Sequence, residues 1–254
     1  MTEFTVATTA FAPGPVRVVL QFAAPPEAPA LAHANACLEK FCRLGRCGGL
    51  RPTVDSSFTA FAVSAPCAPV VGSDAEALID IDTMPPGAWH LLRNMLEEPE
   101  DETLHPMRVT VAPAAQSLIG GAPLVRLDDE NEDEQYPGEM AGRPWPLETV
   151  DRSFSKSRRA LVEFTQEVSN DWFYALRDGL RVWADVLEAG GFAAPKGEPW
   201  EVDSILGAIQ VFDAWTVEVE VSCFDASEAA WPLMANVIDC YAGHVMPVLK
   251  VSIE

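Results

Sequence analysis

The 254 residues carry 38 acidic against 17 basic side chains, a formal net charge of −21 at pH 7, with 48% hydrophobic and 22% charged residues. Such a charge repels phosphate backbones and anionic membranes, which sets aside direct nucleic-acid or membrane binding, and no apolar run of about 18 residues offers a bilayer span. Six cysteines over this length make no disulfide framework, and the opening MTEFTVATTAFAPGP, with Glu3 and no basic residue, does not read as a secretory signal. A cytoplasmic protein is expected.

The first predicted element is an extra strand over Glu3–Phe11, whose pairing the sequence leaves open. VRVVLQF (Val16–Phe22) follows as an apolar, β-branched strand. The next stretch, ACLEKFCRLGRCGGL (Ala36–Leu50), is helical and spaces Cys37, Cys42 and Cys47 evenly, with His33 four residues before the first. Five-residue steps turn a helix by about 140° each, so three such thiols cannot converge on one ion. His33 and Cys37 could supply two ligands at i and i+4, but no third or fourth is evident, and the cysteines read as packing residues. In ALIDID (Ala77–Asp82) the alternation puts Ile79 and Ile81 inside and Asp80 and Asp82 outside. A short helix begins near Trp89, runs into the acidic cluster Glu97, Glu98, Glu100, Asp101 and Glu102, and is followed by a strand over Arg108–Val111.

A connector then spans Ala112–Ser157. Six of the seven residues from Asp128 to Glu134 are acids: Asp128, Asp129, Glu130, Glu132, Asp133 and Glu134. As a calcium loop the run fails, because Glu134 takes the place of the required glycine and Met140 that of the closing acid. As a solvated linker it is satisfactory. Ser153-Phe154-Ser155-Lys156 spells SxxK but precedes a strand and lacks companion motifs. The basic patch KSRRA (Lys156–Ala160) balances nearby acids.

The second half repeats the first at a shift of 142 residues, the distance from Trp89 to Trp231. RRALVEF (Arg158–Phe164) lies over VRVVLQF, Gly190-Gly191 over Gly48-Gly49, WPLMANVI (Trp231–Ile238) over WHLLRNML (Trp89–Leu96), and KVSI (Lys250–Ile253) over RVTV (Arg108–Val111). The helix SNDWFYALRDGLRVWADVLEAGG carries one buried stripe of Trp172, Leu176, Leu180, Trp183 and Leu187. Ser169 or Asn170 can cap its start, and Gly190 suits the left-handed position past its end. Two strands, SILGAIQVF and WTVEVEVSCF, join through Asp213-Ala214, with Val217, Val219 and Val221 on one face and Glu218 and Glu220 on the other. The cysteine positions of the first half hold Gly179, Ala184 and Ala189 in the second, so small size is what they share. The expected fold is therefore α+β, a tandem duplication of ferredoxin-like (β-α-β-β-α-β) modules with antiparallel sheets. The modules occupy 1–111 and 158–254, joined by the acidic connector 112–157.

No CxxC, HExxH, glycine-rich phosphate loop or GxSxG elbow is present. His33, His90, His105 and His244 fall opposite Ala175, Pro232, Pro247 and Glu102 of the other copy, which weakens a catalytic reading. No enzyme, metal site or cofactor is expected. The open sheet faces would instead display Asp80, Asp82, Glu218 and Glu220; like charges opposed across strands cost about 0.2–1 kcal/mol per pair. Such a face is either simply solvated or kept for a partner. Together with the acidic cluster and the acidic run, these carboxylates are the candidate partner-binding residues.

The text around SNDWFYALRDGLRVWADVLEAGGF, with its Gly-Gly ending, resembles immunity protein family 52, bacterial proteins that neutralise toxins of type VI or contact-dependent secretion systems. The resemblance implies a stoichiometric inhibitor of a cognate toxin or effector, of a nuclease type whose basic surface suits a net charge of −21. It assigns no role to any single residue. Two other readings stand beside it. One is a small-molecule module with a ligand between helices and sheet, in a pocket lined by aromatics such as Trp89, Trp231 and Trp215; the other is a metal-dependent enzyme using His33 and Cys37.

Overall fold

Alternating burial shapes every central strand of the computed structural model, which describes residues 2–54, 60–85, 87–97, 101–115, 123–127, 141–150, 157–192, 206–221, 228–242 and 246–254. Among them are eleven strands: β1 (Glu3–Ala7), β2 (Gly14–Gln21), β3 (Ala62–Pro69), β4 (Asp74–Ile81), β5 (Arg108–Pro113), β6 (Leu124–Arg126), β7 (Leu147–Thr149), β8 (Arg158–Phe164), β9 (Leu206–Asp213), β10 (Thr216–Val221) and β11 (Val248–Ile253). The α-helices among the described residues are α1 (Ala28–Arg46), α2 (Ala88–Glu97), α3 (Asn170–Leu187) and α4 (Ala230–Ala242). Val16, Val18 and Leu20 of β2, Ile79 and Ile81 of β4, and Val217, Val219 and Val221 of β10 are all buried. Their neighbours along each strand turn to the other face, as a sheet with one face covered requires. In α3 the expected stripe is buried from Trp172 to Leu187, and the Ser169 hydroxyl accepts a hydrogen bond from the Trp172 N–H at 3.4 Å, capping the helix.

The fold is α+β, with two mostly antiparallel sheets. The first has the order β3-β4-β2-β5-β1-β6 and the second β7-β11-β8-β10-β9. Within each half the four strands that alternate with the two helices stand in the same order: second, third, first, fourth. The leading strand β1 pairs parallel with β5, Phe4 opposite Val109 and Val6 opposite Val111, and antiparallel with β6. Strand β7 pairs parallel with β11, Leu147 opposite Val251, so the second half has a leading strand too.

Part of the connector is therefore structural, unlike the solvated linker that its acidity suggests. It supplies β6 to one sheet and β7 to the other, and β5 runs past Val111 to Pro113. Arg143 donates to the Asn236 Oδ1 at 2.5 Å, and the Trp145 indole donates to the Asp239 carboxylate at 2.9 Å. Three-residue edge strands have no periodicity to read, which is why the sequence conceals them. The acidic run at 128–134 and the SxxK at 153–156 lie outside the described residues.

The helices meet between the sheets. Helix α2 is buried on all sides from Ala88 to Leu96, as a helix enclosed by two layers must be. Contacts across the halves are reciprocal: Asn94 Nδ2 donates to the Gly191 carbonyl at 3.2 Å, and Asn236 Nδ2 donates to the Gly49 carbonyl at 3.2 Å. Both asparagines and both glycines are partners under the 142-residue shift, and so are Arg43 and Asp185, which pair directly at 3.0 Å. The turns that present these carbonyls depend on Gly48 and Gly190, at φ +81° and +74°, where a side chain would be strained. Buried residues from both halves form one contiguous core.

Candidate functional site

The outer face of the second sheet concentrates acid. Strand pairing sets Glu220 opposite Arg159 on β8, Lys250 opposite Glu163, and Ser252 opposite Glu148. Arg159 reaches Glu254 at 2.8 Å and Glu218 at 3.6 Å, while Lys250 reaches Glu163 at 3.3 Å and Glu148 at 3.7 Å. The hydrogen bond that Arg159 donates to Glu254 holds its pKa above its ordinary value, and the one that Lys250 donates to Glu163 does the same for the lysine. Glu220 is exposed, and no cation pairs with it among the described residues. Arg158, Arg159, Glu218, Glu220 and Glu254 line a shallow groove of about 300 Å³. Five carboxylates thus share one open face with Arg159 and Lys250, while Arg158, buried and paired with Glu228 at 3.4 Å, borders the groove.

The first sheet is better balanced. Arg17 pairs with Glu76 at 3.0 Å, Arg108 with Glu3 at 2.8 Å, and Ser64 donates to Asp80 at 2.6 Å. Asp82 departs from the expectation that it faces outward. Strand β4 ends at Ile81, and Asp82 beyond it is 8% exposed, its carboxylate accepting from the Thr83 N–H at 2.7 Å. Glu97 is likewise turned inward to the structure, accepting from the Thr2 N–H and lying 3.6 Å from Arg93 Nε. Asp101 accepts from the Thr103 N–H and hydroxyl at 3.0 and 2.6 Å, which lowers its pKa. Glu102 is exposed beside it. Glu98, Glu100, Asp128, Asp129, Glu130, Glu132, Asp133 and Glu134 lie outside the described residues.

The evenly spaced cysteines go to separate surroundings. Cys37 Sγ lies 3.6 Å from His33 Nε2 and donates to the Met95 carbonyl at 3.4 Å. Cys42 is wholly buried, and Cys47 sits 3.5 Å from the Tyr241 hydroxyl. Burial also lowers the His33 pKa, disfavouring its charged form. The three tryptophans suggested as a ligand pocket do not assemble one: Trp89 and Trp231 are in the core, at 0% and 1% exposure, and Trp215 is 49% exposed on the β9–β10 hairpin.

A cleft of about 520 Å³ does open between helix and sheet, at α3, β9 and the end of α1, and its charged lining includes Arg43, Arg177 and Arg181. Sequence reasoning missed these arginines. The signal lay in comparing the halves position by position, since Arg177 and Arg181 stand where the first half has Asn35 and Glu39.

No family model and no curated protein matches this chain. Among solved structures it is similar to a crystal structure of pitrilysin, at 9% sequence identity and a TM-score of 0.24. That match covers 96% of this chain and 38% of the other, so the chain spans well under half of the length of that protein. So low a TM-score carries no argument about fold or activity. Among the described residues no helix is long and apolar enough to cross a membrane.

Proposed function

We propose that this chain is an immunity-type inhibitor, built from two tandem ferredoxin-like modules, which binds and neutralises a cognate bacterial toxin of basic, nuclease type. The observation that carries the reading is the outer face of the second sheet, where four carboxylates share Arg159 and Lys250 and a fifth, Glu220, stands exposed beside them. The carboxylate surplus is matched to a partner that brings its own lysines and arginines. Opposed fields speed such an encounter and select the partner, and a net charge of −21 extends the attraction across the surface. The acidic run at 128–134 belongs to the same proposal on its sequence alone. The matching strand order of the two sheets and the reciprocal contacts between the halves support the duplicated modules.

The test is to co-express the tagged chain with the polypeptide encoded beside it and to score growth rescue and co-purification. The expected result is rescue and a one-to-one complex whose association slows as salt rises, since screening acts on exposed charges. Glu220→Lys combined with Glu148→Lys, both on solvent-facing side chains, should slow association about tenfold or more, within the range that steering contributes. No complex and no rescue would remove the inhibitor reading. Unchanged association by the Lys variant would move the binding face elsewhere.

A further inference from the structure

The two halves differ at one place in a way that their correspondence makes visible. In the first half Asn35 of α1 locks the helix to edge strand β3: its Oδ1 accepts from the Cys67 N–H at 2.7 Å and its Nδ2 donates to the Cys67 carbonyl at 3.4 Å. Cys67 is buried beneath that clamp. Under the 142-residue shift, Asn35 becomes Arg177 and Cys67 becomes Ile209. The clamp is gone, and between α3 and β9 lies the cleft of about 520 Å³ that Arg43 borders from the other half. Where one copy closes the seam between helix and edge strand, the other opens it and places a cation there.

The charges of the cleft run against those of the molecule. Arg43 is matched by Asp185 at 3.0 Å. Among the described residues Arg177 and Arg181 share one carboxylate, Asp178, at 3.7 and 3.8 Å, and Asp178 itself is 67% exposed. Glu188, also in the lining, is already engaged. The Arg177 guanidinium lies over the Tyr174 ring, 4.8 Å from its centre, an arrangement that orients the fork by cation–π attraction. Ala184, Leu206 and Ile209 supply an apolar wall.

From this geometry we infer that the cleft binds a small organic anion, its carboxylate or phosphate head held by Arg177 and Arg181 and its apolar body against Ala184, Leu206 and Ile209. A planar guanidinium fork matches either head bidentately, and the volume suits a small ligand. The site is independent of the acidic sheet face and of any toxin.

Titration calorimetry on the full chain tests it with three probes, phenyl phosphate, benzoate and inorganic phosphate, each against sodium chloride at equal ionic strength. Saturable one-site binding of phenyl phosphate or benzoate, tighter than that of inorganic phosphate, is expected; whichever of the two binds more tightly identifies the preferred head. Arg181→Glu, the acid that the first half carries at that position and a change at a side chain 58% exposed, should weaken binding about tenfold, the ratio that losing one charge-assisted hydrogen bond gives. Arg177→Asn with Ile209→Cys rebuilds the clamp of the first half and should abolish binding. Should that double variant fail to fold, the exposed Arg181→Glu change still decides. Absence of saturable heat from all three probes at tens of millimolar, or equal binding by Arg181→Glu, would overturn the inference.

Discussion

Burial pushes the Cys37 and Cys42 thiols up to about 12 and those of Cys67 and Cys240 up to about 11. The unfolded chain releases these protons near pH 9, whereas the folded state retains them. Their contribution to stability is therefore whole below pH 9 and is lost as pH rises through 9 towards the folded values. Each such thiol withdraws on the order of 1 kcal/mol of stability by pH 10. Cys42→Ala, which installs the residue that the second half uses at the same position, Ala184, should lower stability at pH 7 through the cavity it leaves. It should also flatten the fall between pH 9 and 11 by one proton's worth. Urea melts at pH 7.5, 9 and 10 check this, and an unchanged slope would mean that Cys42 titrates as a free thiol. Of the evenly spaced cysteines, Cys37 and Cys42 are buried packing residues and Cys47 is half-buried against the Tyr241 hydroxyl.

At the scale of elements, the leading strands are the part of the fold that the sequence only half discloses. Phe4 and Val6 are both fully buried and β1 is held between β5 and β6, so β1 is an interior strand, although EFTVATTAF looks like an appendage. Phe4→Ala should cost about 3–5 kcal/mol, as for other large core residues, read from the denaturation midpoint. Thr5→Ala, which removes a half-buried hydroxyl that donates to the Val109 carbonyl at 3.3 Å and meets the Thr110 hydroxyl at 3.3 Å, should cost about 0.5–1.5 kcal/mol. Elements with many periodic residues were legible: the α3 stripe, the valines of β10, and both Gly-Gly helix ends. Strands β6 and β7 were not, since three residues carry no period. Asp82 was misplaced because the alternation of ALIDID continues one residue beyond the strand that ends at Ile81. Glu97 reads as one more surface acid until Thr2, distant in sequence, is brought to it. The arginine cleft is invisible in either half alone, and net charge hides it further, because a total of −21 says nothing of where the few cations gather.

For the whole molecule, the question is whether the halves fold as one body or two. A chain of 254 residues exceeds the length at which all-or-none unfolding is the default, and its two halves could melt separately. The reciprocal contacts argue otherwise. Each asparagine is buried and spans the boundary: Asn236 at 0% exposure serves both the Gly49 carbonyl and Arg143, and Asn94 at 9% serves the Gly191 carbonyl. If one half opened, the other would keep a buried carbonyl and an amide without their partners, at about 1–3 kcal/mol per group, besides exposing the apolar surface of α2 and α4. Opening one half alone therefore penalises the half that remains. Calorimetry should show one transition, with calorimetric and van't Hoff enthalpies in agreement. Asn236→Leu, which strands the Gly49 carbonyl and takes from Arg143 its acceptor at 2.5 Å, should lower stability by about 2–4 kcal/mol and move that single transition down intact. A variant thermogram that splits in two, with the lower peak alone displaced, would show that the halves are coupled more weakly than their shared core implies.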